Sequence, residues 1–196
     1  MNRLCAAALS LAALLVFPAR AALIAGPADV ATLTARADAV VLARAVRVES
    51  GWGEGGEASG VIVTTVTLEV SEWWKGRGHK GAAAIAVRLP GGIAGDYAQS
   101  VGGSAQIAPG EEVVVFLRKL APARGRAVAL YDVTRWALGK FTVRRLASGV
   151  RVERDRTGLL CQGCGDDEAD ELSLDELRSR VARALRRPPP GKGSGQ

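Results

Sequence analysis

The sequence predicts a mainly β protein: a small antiparallel barrel, with a short helix before it and an amphipathic helix after it. A β-sandwich is the alternative architecture. Three observations lead there. Between residues 40 and 153, six to eight short runs rich in Val, Ile and Leu place apolar side chains at alternate positions. Gly and Pro clusters separate those runs. Apolar residues at helical spacing occur only at the two ends of that region.

Residues 27–38 read as a short helix: Pro27 suits a first turn, Asp29 is acidic near the start, and Val30, Leu33 and Ala37 recur at helical spacing. From Val40 to Val48 the period changes, and Leu42, Val46 and Val48 share one strand face with Arg44 as the exception. Gly51 to Gly60 reads as a loop. In the run from Val61, the residues Val66, Leu68 and Val70 alternate with Thr67, Glu69 and Ser71. Ile85, Val87 and Leu89 form the next strand, stopped by Pro90-Gly91-Gly92. The Gly-rich stretch 91–110 is expected to hold a weak hairpin around Gly102-Gly103, and its part 91–103 reads as a mobile loop. Pro109-Gly110 then turns the chain into Val113 to Leu117. Val128 to Val133 and Phe141 to Arg145 continue the pattern, and Ser148-Gly149 marks a tight turn into Val150 to Glu153. In the last helix Ser173 and Glu176 form a capping box, and Leu174, Leu177, Val181, Ala184 and Leu185 make one apolar stripe.

The N-terminus is expected to be an export signal. Arg3 precedes an apolar run from Leu4 to Phe17, and Ala19-Arg20-Ala21 has the small-x-small pattern of a cleavage site. The run is shorter than the ~20 residues a spanning helix needs. The expected organisation is a signal peptide at 1–21, a β-barrel domain at 22–156, a Cys-x-x-Cys loop with the terminal helix at 157–187, and a disordered tail at 188–196. Cleavage leaves a soluble, secreted or periplasmic chain of net charge +4 with two cysteines. That mild positive surplus points to acidic partners, and export excludes nucleic acid.

Catalytic chemistry finds little to build on. His79, the only histidine, lies between Arg77-Gly78 and Lys80-Gly81, in a Gly-flanked loop that holds no general base in place. No nucleophile elbow, P-loop or dinucleotide fingerprint occurs. A closed zinc site lacks ligands, so neither metal nor cofactor is expected. Cys161 and Cys164 read as a structural disulfide, because the acids from Asp166 to Glu171 disfavour a reactive thiolate. The acidic run Asp166 to Glu176 lacks the spacing of a calcium loop and reads as a solvated helix entry. Residues 91–103 open no helix, so they do not form a phosphate cradle.

Several segments together carry a resemblance. The stretch Ala37-Asp38-Ala39-Val40-Val41-Leu42, then Val70-Ser71-Glu72-Trp73-Trp74-Lys75-Gly76, Leu89-Pro90-Gly91-Gly92, Gly110-Glu111-Glu112-Val113-Val114-Val115-Phe116-Leu117 and Gly139-Lys140-Phe141 resemble a family of uncharacterised secreted bacterial proteins. The strand-plus-Lys-Gly pattern is also similar to netrin-like and tissue-metalloproteinase-inhibitor-like barrels of the oligonucleotide/oligosaccharide-binding (OB) type. The resemblance therefore implies an OB-like barrel. Those inhibitors present an N-terminal Cys to a protease zinc; this chain has no Cys near its expected mature N-terminus.

The expected function is a non-enzymatic exported domain that binds an envelope protein or a polysaccharide. A protease-inhibitor-like module and a carboxylate-dependent hydrolase are the alternatives. Trp73, Trp74 and Lys75 are the candidate binding residues. If strand parity runs on from Val66, Leu68 and Val70, Trp74 enters the core and Trp73 faces outward, unless a β-bulge reverses the choice.

Overall fold

The computed structural model describes residues 22–53, 59–76, 83–121, 129–156, 159–164 and 170–186. The expected signal peptide and C-terminal tail lie outside them. After strand β1 (Ala22–Ala25) comes helix α1 (Val30–Arg36). Asp29 caps it, accepting from the Thr32 amide at 2.8 Å. The long strands β2 (Ala39–Trp52) and β3 (Ile62–Lys75) follow, then β4 (Ala84–Pro90) and the small hairpin β5 (Gly92–Ala94) and β6 (Tyr97–Gln99). Strands β7 (Glu112–Lys119), β8 (Leu130–Val133), β9 (Lys140–Leu146), β10 (Gly149–Arg154), β11 (Leu159–Gln162) and β12 (Glu171–Ser173) lead to helix α2 (Leu174–Arg186).

Five strands close into a barrel in the order β2-β3-β4-β8-β7 and back to β2. Closure rules out the sandwich and makes this the small OB-like barrel that the sequence predicts. It is mixed rather than purely antiparallel, because β8 joins β4 in parallel through Ala86–Leu130, Val87–Tyr131 and Arg88–Asp132. Strands β8 and β9 lie end to end along β7, which pairs Leu117 with Val133 and Val115 with Lys140. Between them Arg135 and Trp136 take φ of 60° and 58°. This left-handed pair ejects a 3-10 turn over Trp136–Gly139. The break lets β8 close the barrel while β9 turns away to pair with β10, and β10 with β12.

Strands β2 and β7 are therefore buried on both faces, as the unbroken apolar runs Ala39–Ala43 and Val113–Leu117 require. One face fills the barrel: Val41, Ala43, Val66, Leu68, Val87 and Val115 pack there. The other face forms a second core. Val40, Leu42, Val114, Phe116 and Phe141 meet Leu33 of α1 and Leu177 and Val181 of α2. Half of the expected capping box is seen: the Glu176 amide donates to Ser173 Oγ at 3.1 Å, while the Glu176 carboxylate accepts from Arg180 at 2.8 Å. Leu185, assigned to the stripe, is exposed.

The Gly-rich stretch departs from expectation. Its hairpin turns at Gly95-Asp96 rather than at Gly102-Gly103, pairing Gly92 with Gln99 and Ala94 with Tyr97. At Gly92, φ is 138° and a Cβ would come within 2.5 Å of Ser50 Oγ and Thr64 Oγ1. Only glycine lets the hairpin sit this close to the ends of β2 and β3.

Candidate functional site

The expected binding residues end strand β3, where they meet the start of β2. Two register shifts decide their directions. Leu42 pairs with Glu72 but Ala43 with Val70, leaving Ser71 extra; Val41 pairs with Trp73 but Val40 with Lys75, leaving Trp74 extra. The first bulge inverts the parity. Trp73, expected outside, packs against the barrel core, and Trp74, expected inside, packs against the outer core beneath the helices. A similar shift at Val46 exposes that residue and places Leu42 and Val48 on opposite faces.

The polar groups at this end are also engaged. Trp74 Nε1 donates to Glu72 at 2.9 Å, and Arg178 of α2 donates to the same carboxylate at 2.9 Å. The Arg178 guanidinium lies 5.3 Å from the Trp74 ring centre. Lys75 Nζ donates to the Thr34 carbonyl of α1 at 2.6 Å. Burial lowers the Lys75 pKa, against the opposing charge of Asp38. Trp74 and Lys75 thus tie helices to the barrel; all three side chains are only half-exposed.

The two cysteines form the expected disulfide, Cys161–Cys164. It sits at the end of β11, which pairs in parallel with β1, and the Gly26 amide continues that ladder to the Gln162 carbonyl at 2.8 Å. Cys164 is buried against Ala28 and Leu138. His79 and the acids Asp166 to Glu168 lie outside the described residues.

A cleft of about 420 Å³, which no sequence pattern marks, opens beside the β7–β9 pair. Its floor is a polar trio in which Lys140 and Thr142 are buried and Glu111 is part-buried. Lys140, 6% exposed, donates to Glu111 Oε1 and to Thr142 Oγ1, both at 2.6 Å. Thr142 in turn donates to Glu111 Oε1 at 2.7 Å, and the Ala108 amide to Glu111 Oε2 at 2.8 Å. Burial alone would raise the Glu111 pKa; the bonds from Lys140, Ala108 and Thr142 outweigh it and hold the carboxyl below its usual range. Glu153 and Asp155 also line the cleft. A glycosidase-type acid needs a raised pKa, the opposite of what Glu111 has. A carboxylate so stabilised is also a poor base for the Thr142 hydroxyl. The trio fastens β7 to β9.

The most exposed aromatic pair among the described residues is at the far end of the β2–β3 ladder. Trp52, the last residue of β2, pairs with Ile62, and its ring is 5.6 Å from that of Tyr97, centre to centre, at an interplanar angle of 62°. The residues are 53% and 66% exposed. Their base is firm. Ser50 and Thr64 hydroxyls lie 2.7 Å apart, Thr64 donates to the Gly91 carbonyl at 2.8 Å, and the Ile62 amide donates to Gln99 Oε1 at 2.8 Å. The sequence signal for it is a Trp inside a Gly-rich run; the expected loop from Gly51 is in fact the end of β2, through Trp52. No protein-family model matches the chain, and no curated protein matches it either.

Proposed function

We propose that the mature chain is an exported, non-enzymatic binding domain for an envelope protein or a polysaccharide, with the Trp52–Tyr97 corner as its contact face. One observation carries this reading. Two large aromatic side chains stand more than half in solvent on a braced β-sheet end, where they contribute little to the core. Trp and Tyr are the side chains that most often dominate binding energy. Pre-ordered strands under them reduce the entropy lost on association.

Export is part of the same proposal, with cleavage after Ala21. The apolar run before Ala19-Arg20-Ala21 supports it, as does a disulfide that persists in an oxidising compartment. The test is capture from envelope extract on immobilised mature protein. Wild type is expected to retain material that the double substitution Trp52→Ala, Tyr97→Ala does not. Equal retention by both proteins contradicts the assignment of the contact face.

A further inference from the structure

The Trp52–Tyr97 corner also indicates the chemistry of its ligand. Resting on the binding-domain reading above, we infer that the corner takes a neutral glycan whose sugar rings carry equatorial hydroxyls. In such a sugar the axial C–H bonds make both ring faces apolar and slightly positive, complementary to the electron-rich face of an aromatic ring. Two aromatic planes 62° apart offer one ring to the face of a sugar and a second to its edge.

The surroundings favour a sugar over a protein surface. The two rings are the large apolar groups on their side of the corner, with Ile93 exposed on the other side of the hairpin. Ile93, the nearest large apolar side chain in sequence, pairs with Ala98 and points to the opposite face of the hairpin from Tyr97, whose partner is Ala94. A stable protein interface needs about 800 Å² per partner around a desolvated centre, whereas one or two sugar rings need far less. The neighbours of the corner are hydrogen-bonding groups: Ser50 and Asp96 are exposed, and Gln99 is half-exposed. Arg47 is engaged with Glu49 at 2.7 Å. No cluster of free cations is gathered for an anionic polymer among the described residues in this part of β2, β5 and β6.

The experiment titrates the mature protein with cellohexaose and with N-acetylchitohexaose, following tryptophan fluorescence and heat. At least one is expected to bind. Trp52→Ala and Tyr97→Ala should each weaken it tenfold or more, Tyr97→Phe by less than threefold, and added salt should leave it unchanged. Melting curves of the variants should match wild type, which separates lost contact from lost fold. The captured envelope material is treated in parallel with periodate, which cleaves vicinal diols, or with protease. Capture that depends on Trp52, is destroyed by protease and survives periodate overturns the glycan inference and leaves the binding-domain reading standing. Failure of both hexasaccharides, with Trp52-dependent capture that protease destroys, overturns it in the same way. Capture indifferent to Trp52→Ala overturns both.

Discussion

At one end of the β2–β3 ladder, Trp73 and Trp74 are packed into two cores; at the other, Trp52 stands in solvent against Tyr97. The same two strands supply both ends, so strand propensity does not distinguish them. What differs is the cover. Helices α1 and α2 lie over the first end and reach it through Lys75 to Thr34 and Arg178 to Glu72. The second end has no helix over it among the described residues and meets the short β5–β6 hairpin, held close at Gly92. Aromatic side chains at the first end serve stability, and those at the second are available for recognition.

The comparison can be broken at four places. The largest effect is expected at Phe116, fully buried beside Val40 in the helix-covered core. Phe116→Ala should cost about 4 kcal/mol in denaturant unfolding, and a loss below about 1 kcal/mol would mean the helices seal nothing. Next comes the trio under the cleft. Lys140→Met takes the cation from the part-buried Glu111 carboxylate, which keeps its bonds from Thr142 and Ala108, and should cost about 2 kcal/mol. Because the folded Glu111 pKa lies below its usual 4.5, its contribution is complete above that pH and disappears as pH falls through the lowered value. Glu111→Gln should therefore flatten the acid limb of the stability curve, and an unchanged limb would contradict the charge-assisted contact.

Trp74→Ala removes a half-buried ring and its contact with Arg178, for a loss of about 2 kcal/mol. Ligand capture by the folded variant should be unchanged. The smallest stability effect belongs to Trp52→Ala, within about 0.5 kcal/mol of wild type. Equal destabilisation by Trp52→Ala and Trp74→Ala would erase the distinction between the ends.

Much of the barrel was legible in the sequence because alternation in Val66–Val70 and Ile85–Leu89 reports one buried face directly. The start of α2 was legible for the same local reason, at Ser173 with Glu176, whereas α1 begins at Val30 with Asp29 as its cap, not at Pro27. Bulges were not. Nothing in Ser71 marks it as the extra residue, yet that one position reverses the directions of the tryptophans. The parallel β4–β8 closure and the Lys140–Glu111 pair join residues 29 or more apart and depend on the whole fold. Strands as short as β1, β11 and β12 are ordered by their partners rather than by their own pattern. The exposed corner needed the hairpin first: Trp52 acquires its partner Tyr97 only once Gly92 brings that segment against β2 and β3.

Acrylamide quenching of tryptophan emission, with and without captured envelope ligand, tests the contrast between the two ends most directly. Wild type, Trp52→Phe and Trp74→Phe are compared. Ligand should protect wild type and Trp74→Phe from the quencher, and Trp52→Phe should lose both that protection and a large share of the quenchable emission. Protection that survives in Trp52→Phe and vanishes in Trp74→Phe would contradict the account and return recognition to the helix-covered end.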